Sequence, residues 1–169
     1  MKCKAFVIAI FFSLIPLNEV YGFNKGKTAD DYLDEAELII ENASYAPLFK
    51  NKNGEREKFT SLVNQSLELE ETARALLFLG FVRHMVFDPD SYKDSVHYYE
   101  KALELKPNYL RALVALSSAH SNGRNYKECI NSTNQVLKID SQNIKAKELG
   151  EECQYYLTQQ QKFPIKQNL

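Results

Sequence analysis

The stretch Tyr92–Pro107, YKDSVHYYEKALELKP, and its echo Tyr126–Ser141, YKECINSTNQVLKIDS, decide how the rest of the chain is read. Laid one over the other at a single constant offset, they superpose Tyr92 on Tyr126, Lys93 on Lys127, Asp94 on Glu128, Val96 on Ile130, Leu103 on Leu137 and Leu105 on Ile139. An offset that keeps apolar positions apolar from end to end marks a duplicated structural unit. A period of this size points to stacked helical pairs, because a single pair cannot bury both of its faces alone. A weaker third copy lies upstream: SLELEE at 66–71 parallels ALELKP at 102–107, and NQSLEL at 64–69 parallels NQVLKI at 134–139. The interval from the first copy to the second is slightly longer than that from the second to the third, so the earliest copy is the most divergent.

Working outward, Thr72 to Phe87 carries ARALLFLGFV, apolar most of the way round, as an inner helix of a stack would be. Gly80 within it costs about 1 kcal/mol of helix propensity and marks a place where a neighbouring helix comes close. Asp88, Pro89 and Asp90 end that helix. Helices are expected over Tyr92–Leu105, Tyr109–Ser121 and Tyr126–Ile139. Ser141 is positioned to cap a further helix over 142–160, whose stripe of Ala146, Leu149, Cys153 and Leu157 is narrow and whose other faces carry Lys145, Lys147, Glu148, Glu151 and Glu152. One apolar stripe with polar outer faces suits a capping element. The tail, 161–169, is polar and expected to fray.

Upstream, Thr28 or Asp30 can cap a helix reaching Asn42, with Leu33, Ala36, Ile40 and Ala43 on one stripe. Pro47 and NKNG make Ser44 to Gly54 a loop, whose Tyr45, Leu48 and Phe49 are expected to pack back onto the domain. A second helix follows from Glu55 to Leu69, with Phe59, Leu62, Val63, Ser66 and Leu67 together. The organisation expected is a degenerate first hairpin over 23–71, repeat units over 72–107 and 108–141, and a cap.

These residues resemble the tetratricopeptide repeat family. The second-helix pattern of that family is met by Tyr92, Ser95 in place of alanine, Tyr99, Ala102, Leu103 and Pro107, and its first-helix pattern by Leu76, Leu79 and Gly80. The next unit shows Leu113, Leu116, Ser117, Tyr126, Cys129, Val136 and Leu137, with Ser141 replacing the closing proline. A few extra residues at Phe87–Asp90 depart from the pattern. The resemblance covers Ala73 to Gln142 well and Thr28 to Glu71 weakly. It implies an all-α fold, a right-handed superhelix (α-solenoid) of about three such units plus a C-terminal capping helix. It also implies a concave groove faced by Arg74, Leu77, Phe81 and His84, then Arg111, Val114, Ser118 and Ser121, then Lys145, Glu148 and Glu152. Leu77 and Phe81 equally suit packing beneath the neighbouring units. Val114 and Ser118 stand where chaperone-binding members carry a lysine and asparagine clamp, so that ligand is not expected.

The chain's 169 residues suffice for one domain with a real core. A net charge of −1 supplies no pull toward nucleic acid or an anionic membrane. The charge is sorted, however: Asp30–Glu71 holds eleven acidic and four basic residues, whereas 72–169 holds thirteen basic and ten acidic. Met1–Gly22 reads as a secretory signal, with Lys2 and Lys4, the apolar AFVIAIFFSLIPL, and Val20 and Gly22 placed for cleavage before Phe23. Retained, the same segment would be an anchor, although it is shorter than the roughly 20 residues that span a bilayer. Cys3 precedes the apolar stretch, which argues against lipid attachment.

Removal of the signal leaves Cys129 and Cys153 on helices expected to be neighbours. They suit either a disulfide in an oxidising compartment or two small buried residues. His84, His97 and His120 lack metal-binding spacing, and no nucleophile or phosphate-loop motif occurs, so neither an enzyme nor a cofactor is expected. Asn42, Asn64 and Asn131 open N-x-S/T sequences of the kind that arise by chance. The function expected is a scaffold that binds an unknown protein or peptide in its groove, secreted or periplasmic. A membrane is involved only if the N-terminal segment is kept, in which case the chain is an anchored subunit of an envelope or secretion assembly.

Overall fold

A computed structural model describes residues 26–43, 54–84 and 91–162 of the chain. The expected signal, the loop apolar residues Tyr45, Leu48 and Phe49, the extra turn residues after His84 and the tail beyond Lys162 lie outside these residues. Seven helices are described: α1 (Ala29–Ala43), α2 (Glu55–Leu69), α3 (Ala73–His84), α4 (Ser91–Leu105), α5 (Leu110–Asn122), α6 (Tyr126–Ile139) and α7 (Ile144–Lys162). Each packs on its successor within the pairs α1·α2, α3·α4 and α5·α6, α7 closes on α6, and α5 also reaches α3 and α7. The architecture is an all-α solenoid.

Local chemistry explains where the helices start. Thr28 caps α1 through a reciprocal pair: its hydroxyl accepts from Asp31 N at 3.2 Å, and its backbone N–H donates to Asp31 Oδ2 at 2.7 Å. The last helix begins later than expected, and Ser141 does not cap it. Asp140 turns the chain by accepting from Asn143 N through its carbonyl and from Gln142 N through Oδ1, and Asn143 Oδ1 then accepts from Ala146 N at 3.0 Å. Asn143 is therefore the N-cap, a role its amide oxygen fills as well as a serine hydroxyl does.

The opening stretch works as a wedge. Tyr99 is fully buried, as are Ser95 and Ala102 on the same side of α4. A Cβ added at Gly80 would overlap the Tyr99 ring, and one added at Gly123 would overlap the Tyr92 ring. Each glycine is thus the seat of one tyrosine of α4: Gly80 brings α3 against α4, and Gly123 brings the α5–α6 turn against the start of α4.

The main core runs through α1 to α5 and is built on Leu33, Ile40, Phe59, Leu77, Phe78 and Tyr99. Its rings touch in series, Phe59 to Phe78 at 5.5 Å, Phe78 to Phe81 at 6.0 Å and Phe81 to Tyr99 at 5.9 Å between centroids. Toward the end of the stack the core thins to Leu113, Val136 and Ala146, then to Cys129, Leu149 and Cys153. Cys129 and Cys153 are joined by a disulfide, with their Cα atoms 6.4 Å apart, which staples the cap α7 to α6.

Candidate partner-binding face

The side of the stack formed by α1, α3, α5 and α7 carries the residues that the repeat pattern assigns to the groove. Its first half is closed. Arg74 Nη1 meets Asp34 Oδ1 at 2.6 Å and Nη2 meets Glu37 Oε2 at 2.5 Å, while Arg111 Nη1 meets Glu37 Oε1 at 2.5 Å. One carboxylate on α1 thus bridges arginines on α3 and α5. Both guanidinium groups also lie over the Phe78 ring, at 5.6 and 5.7 Å from its centroid, where the π face attracts a cation.

Burial pushes the Glu37 carboxyl up, but the hydrogen bonds and charges of Arg111 and Arg74 outweigh this and hold it below its ordinary 4.5. Burial likewise works to lower the Arg74 value, and the bonds to Asp34 and Glu37 raise it on balance. The guanidinium of Arg74 is therefore committed to α1. The charge count over Asp30–Glu71 does not disclose this pairing. The signal was present in the spacing, which is the same from Glu37 to Arg74 as from Arg74 to Arg111.

Leu77 is a correction. Expected in the groove, it is fully buried within the cluster that includes Leu33, Ala36 and Ile40 of α1, because the first hairpin covers this position of α3. The repeat equivalents of Leu77 are Val114, which is half-buried, and Glu148, which is exposed, so cover falls away along the stack. Phe81 is half-buried in the ring series. His84 is half-buried as well: Nδ1 lies 3.3 Å from the Tyr99 hydroxyl and Nε2 lies 2.6 Å from Asn122 Nδ2. With the amide donating to Nε2, the ring proton sits on Nδ1 and is donated to Tyr99. Burial lowers the His84 pKa, in keeping with a neutral ring that ties α3, α4 and α5 together. Ser118 spends its hydroxyl on the Val114 carbonyl, at 3.1 Å.

The second half of the face is open. Arg111, Lys145, Glu148 and Glu152 are exposed, and between α5 and α7 lies a shallow concavity of about 260 Å³ lined by Leu110, Arg111, Val114, Asn143 and Lys145. On the outer helices, Leu69, Leu105 and Ile139 stand at one repeat position and are each about half exposed, an apolar row left uncovered. Among the described residues no group of three His, Cys, Asp or Glu side chains converges as a metal would need, and no helix is long and apolar enough to cross a membrane.

Residues 90–109, which contain the wedge helix α4, match the family model of the tetratricopeptide repeat. The chain carries a tetratricopeptide repeat. The match falls on the unit in which Tyr99 seats on Gly80, and the sequence offset that carries Tyr92 onto Tyr126 relates its helix α4 to α6. A comparison with curated proteins finds no match.

Proposed function

We propose that the chain is a non-enzymatic scaffold that holds a segment of a partner protein against the open half of the concave face, between α5 and α7. Helical repeats of this kind serve protein interaction, and the observation that carries the reading here is the contrast along one face. On α3, Arg74 is paired and Leu77 is covered by α1, whereas on α5 and α7 Arg111, Lys145, Glu148 and Glu152 are exposed around a half-buried apolar floor of Leu110 and Val114. Such a floor with charged rims suits an extended or helical peptide segment.

The proposed place of action is outside the cytoplasm. Two observations support it: the apolar segment at 5–17 behind Lys2 and Lys4 and the disulfide between α6 and α7, a bond that persists in oxidising compartments. The same apolar segment, if kept, would make the chain an anchored assembly subunit, and sequencing the mature amino terminus separates the two, because a start near Phe23 removes the anchor.

The test of the groove is capture from the native extract with three forms of the protein. Val114→Asp, checked for an unchanged helical spectrum, is expected to lose partners that the parent retains, and Glu104→Lys on the exposed side of α4 is expected to keep them. The reverse pattern would place the contact on the outer helices.

A further inference from the structure

The offset that carries Tyr92 onto Tyr126 also carries Leu110, Val114 and Ser121 of α5 onto Ile144, Glu148 and Tyr155 of α7. On α5 these positions are half-buried, and α7 packs on α5 as the next helix of the row. On α7 they are open: Ile144 is 71% exposed and Tyr155 59%. The two stand eleven residues apart, three turns or about 16 Å along one stripe of the helix. Tyr155 is already held in place, its ring edge-on to Tyr156 at 5.4 Å, and Tyr156 stacks on Tyr126 of α6 at 5.3 Å. Charges flank the stripe. Lys147 and Glu151, one turn apart, lie along one edge, and Lys145 and Glu152, two turns apart, lie along the other. All four are exposed, and none is in an ion pair with another described residue.

Spaced in this way, the residues are complementary to their own reversed copy. Lys147 and Glu151 stand two residues either side of Leu149, Lys145 and Glu152 four before and three after it, and Ile144 and Tyr155 five before and six after it. A second α7 laid antiparallel and level at Leu149 brings Lys147 to Glu151, Lys145 to Glu152 and Ile144 to Tyr155, each contact made twice. A parallel copy would set Lys147 beside Lys145 and Glu151 beside Glu152, like charge on like.

We propose that two copies of the chain associate through the exposed stripe of α7, antiparallel about a two-fold axis level with Leu149. The second copy takes the place on α7 that α7 itself takes on α5. Such a contact uses the same patch on both sides and closes on itself, so the end of the stack recruits one copy and no more. The opposite charges set the register of the two helices, and Ile144 and Tyr155 leave water together at either end of the contact. Glu148 is out of keeping: its two copies meet near the axis, so it weakens the contact. The contact stands independently of what the concave face binds.

The test is sedimentation of the oxidised chain over concentrations of about 5 to 500 μM. One helix face per copy is at the small end of specific contacts and predicts a monomer–dimer equilibrium with a dissociation constant of about 10 to 100 μM. Tyr155→Ser, checked for an unchanged helical spectrum, is expected to weaken the dimer at least about tenfold. Lys147→Glu and Glu151→Lys should each weaken it about fivefold or more, and Glu148→Gln should tighten it about twofold. Glu104→Lys on α4 is expected to leave it unchanged. The decisive sample is an equimolar mixture of Lys147→Glu with Glu151→Lys, in which each copy supplies the charges that the other needs. Its association should return at least to that of the parent. A monomer at every concentration would overturn the proposal, since the face would then belong to another occupant or to water. A dimer weakened by neither Tyr155→Ser nor the charge variants would overturn it as well, as would a mixture no tighter than its components. Growth beyond the dimer would show head-to-tail stacking and overturn the two-fold contact.

Discussion

Where the unit made of α3 and α4 has Phe78 and Tyr99, its successors carry Ala115 and Thr133, and then Leu149 on the cap; where α4 has Ser95, α6 has Cys129. The positions are equivalent, yet the two buried rings of the α3–α4 unit are not repeated in its successors. Around α2, α3 and α4 the contact is made by rings in series, and around α6 and α7 the buried contact is Cys129, Leu149 and Cys153 with their covalent bond, flanked at the surface by the stacked rings of Tyr126 and Tyr156. A repeat can thus keep its backbone register while the means of holding it change. Bulk suffices where neighbours lie on both sides, and a staple replaces it where the stack stops.

The largest effect should come from removing the wedge. Tyr99→Ala empties a fully buried ring site and is expected to destabilise by about 3 to 5 kcal/mol in denaturant titration. Gly80→Val is expected to do comparable harm by overpacking, since its side chain would enter the Tyr99 ring. If either variant lost less than a control such as Leu113→Val at the thin end, the ring series would not be the principal core.

Next comes the staple. Cys129 and Cys153 are separated by 24 residues, a loop for which the chain-entropy relation gives about 3.5 kcal/mol. Reduction, or the pair of changes Cys129→Ser and Cys153→Ser, should lower stability by about that amount. Amide exchange should rise first in α7, while α2 to α4 keep their protection. Uniform loss along the chain would show that the two ends are not separable.

Smaller effects sharpen the same contrast electrostatically. Glu37→Gln should cost about 1 kcal/mol, since the bridge is partly exposed. Its pH signature has a fixed sign: the folded carboxyl titrates below the unfolded one, so the contribution is present above the ordinary value of 4.5 and lost as pH falls through the folded value. The pH profile of Glu37→Gln should lack that loss. Burial also lowers His84 and His120. The unfolded chain therefore takes up those protons first, and stability should begin to fall as pH drops below the ordinary histidine value of 6.5, with a flatter profile in His84→Asn.

The fold was legible because its evidence is redundant: the constant offset between the two copies, the apolar α3, and Gly80 placed against Tyr99 all point the same way. The site was less so. Leu77 and Val114 look alike in sequence and differ in what covers them, and the cover for Leu77 comes from α1, on the far side of α2 in the chain. The bridging of Arg74 and Arg111 by Glu37 depends on how α1 is rotated against α3, which the charge count of the first third does not reveal. Asn143 in place of Ser141 as the cap of α7 is a small shift in register set by the Asp140 turn.

The central claim is that the closed, ring-filled half of the concave face is structural and the open, stapled half is functional. Amide exchange of the oxidised chain with and without a partner recovered by capture tests it most directly. The expected result is added protection in α5 and the first turns of α7, with α2 and α4 unchanged. Protection appearing instead along α2, α4 and α6, at the row Leu69, Leu105 and Ile139, would contradict it.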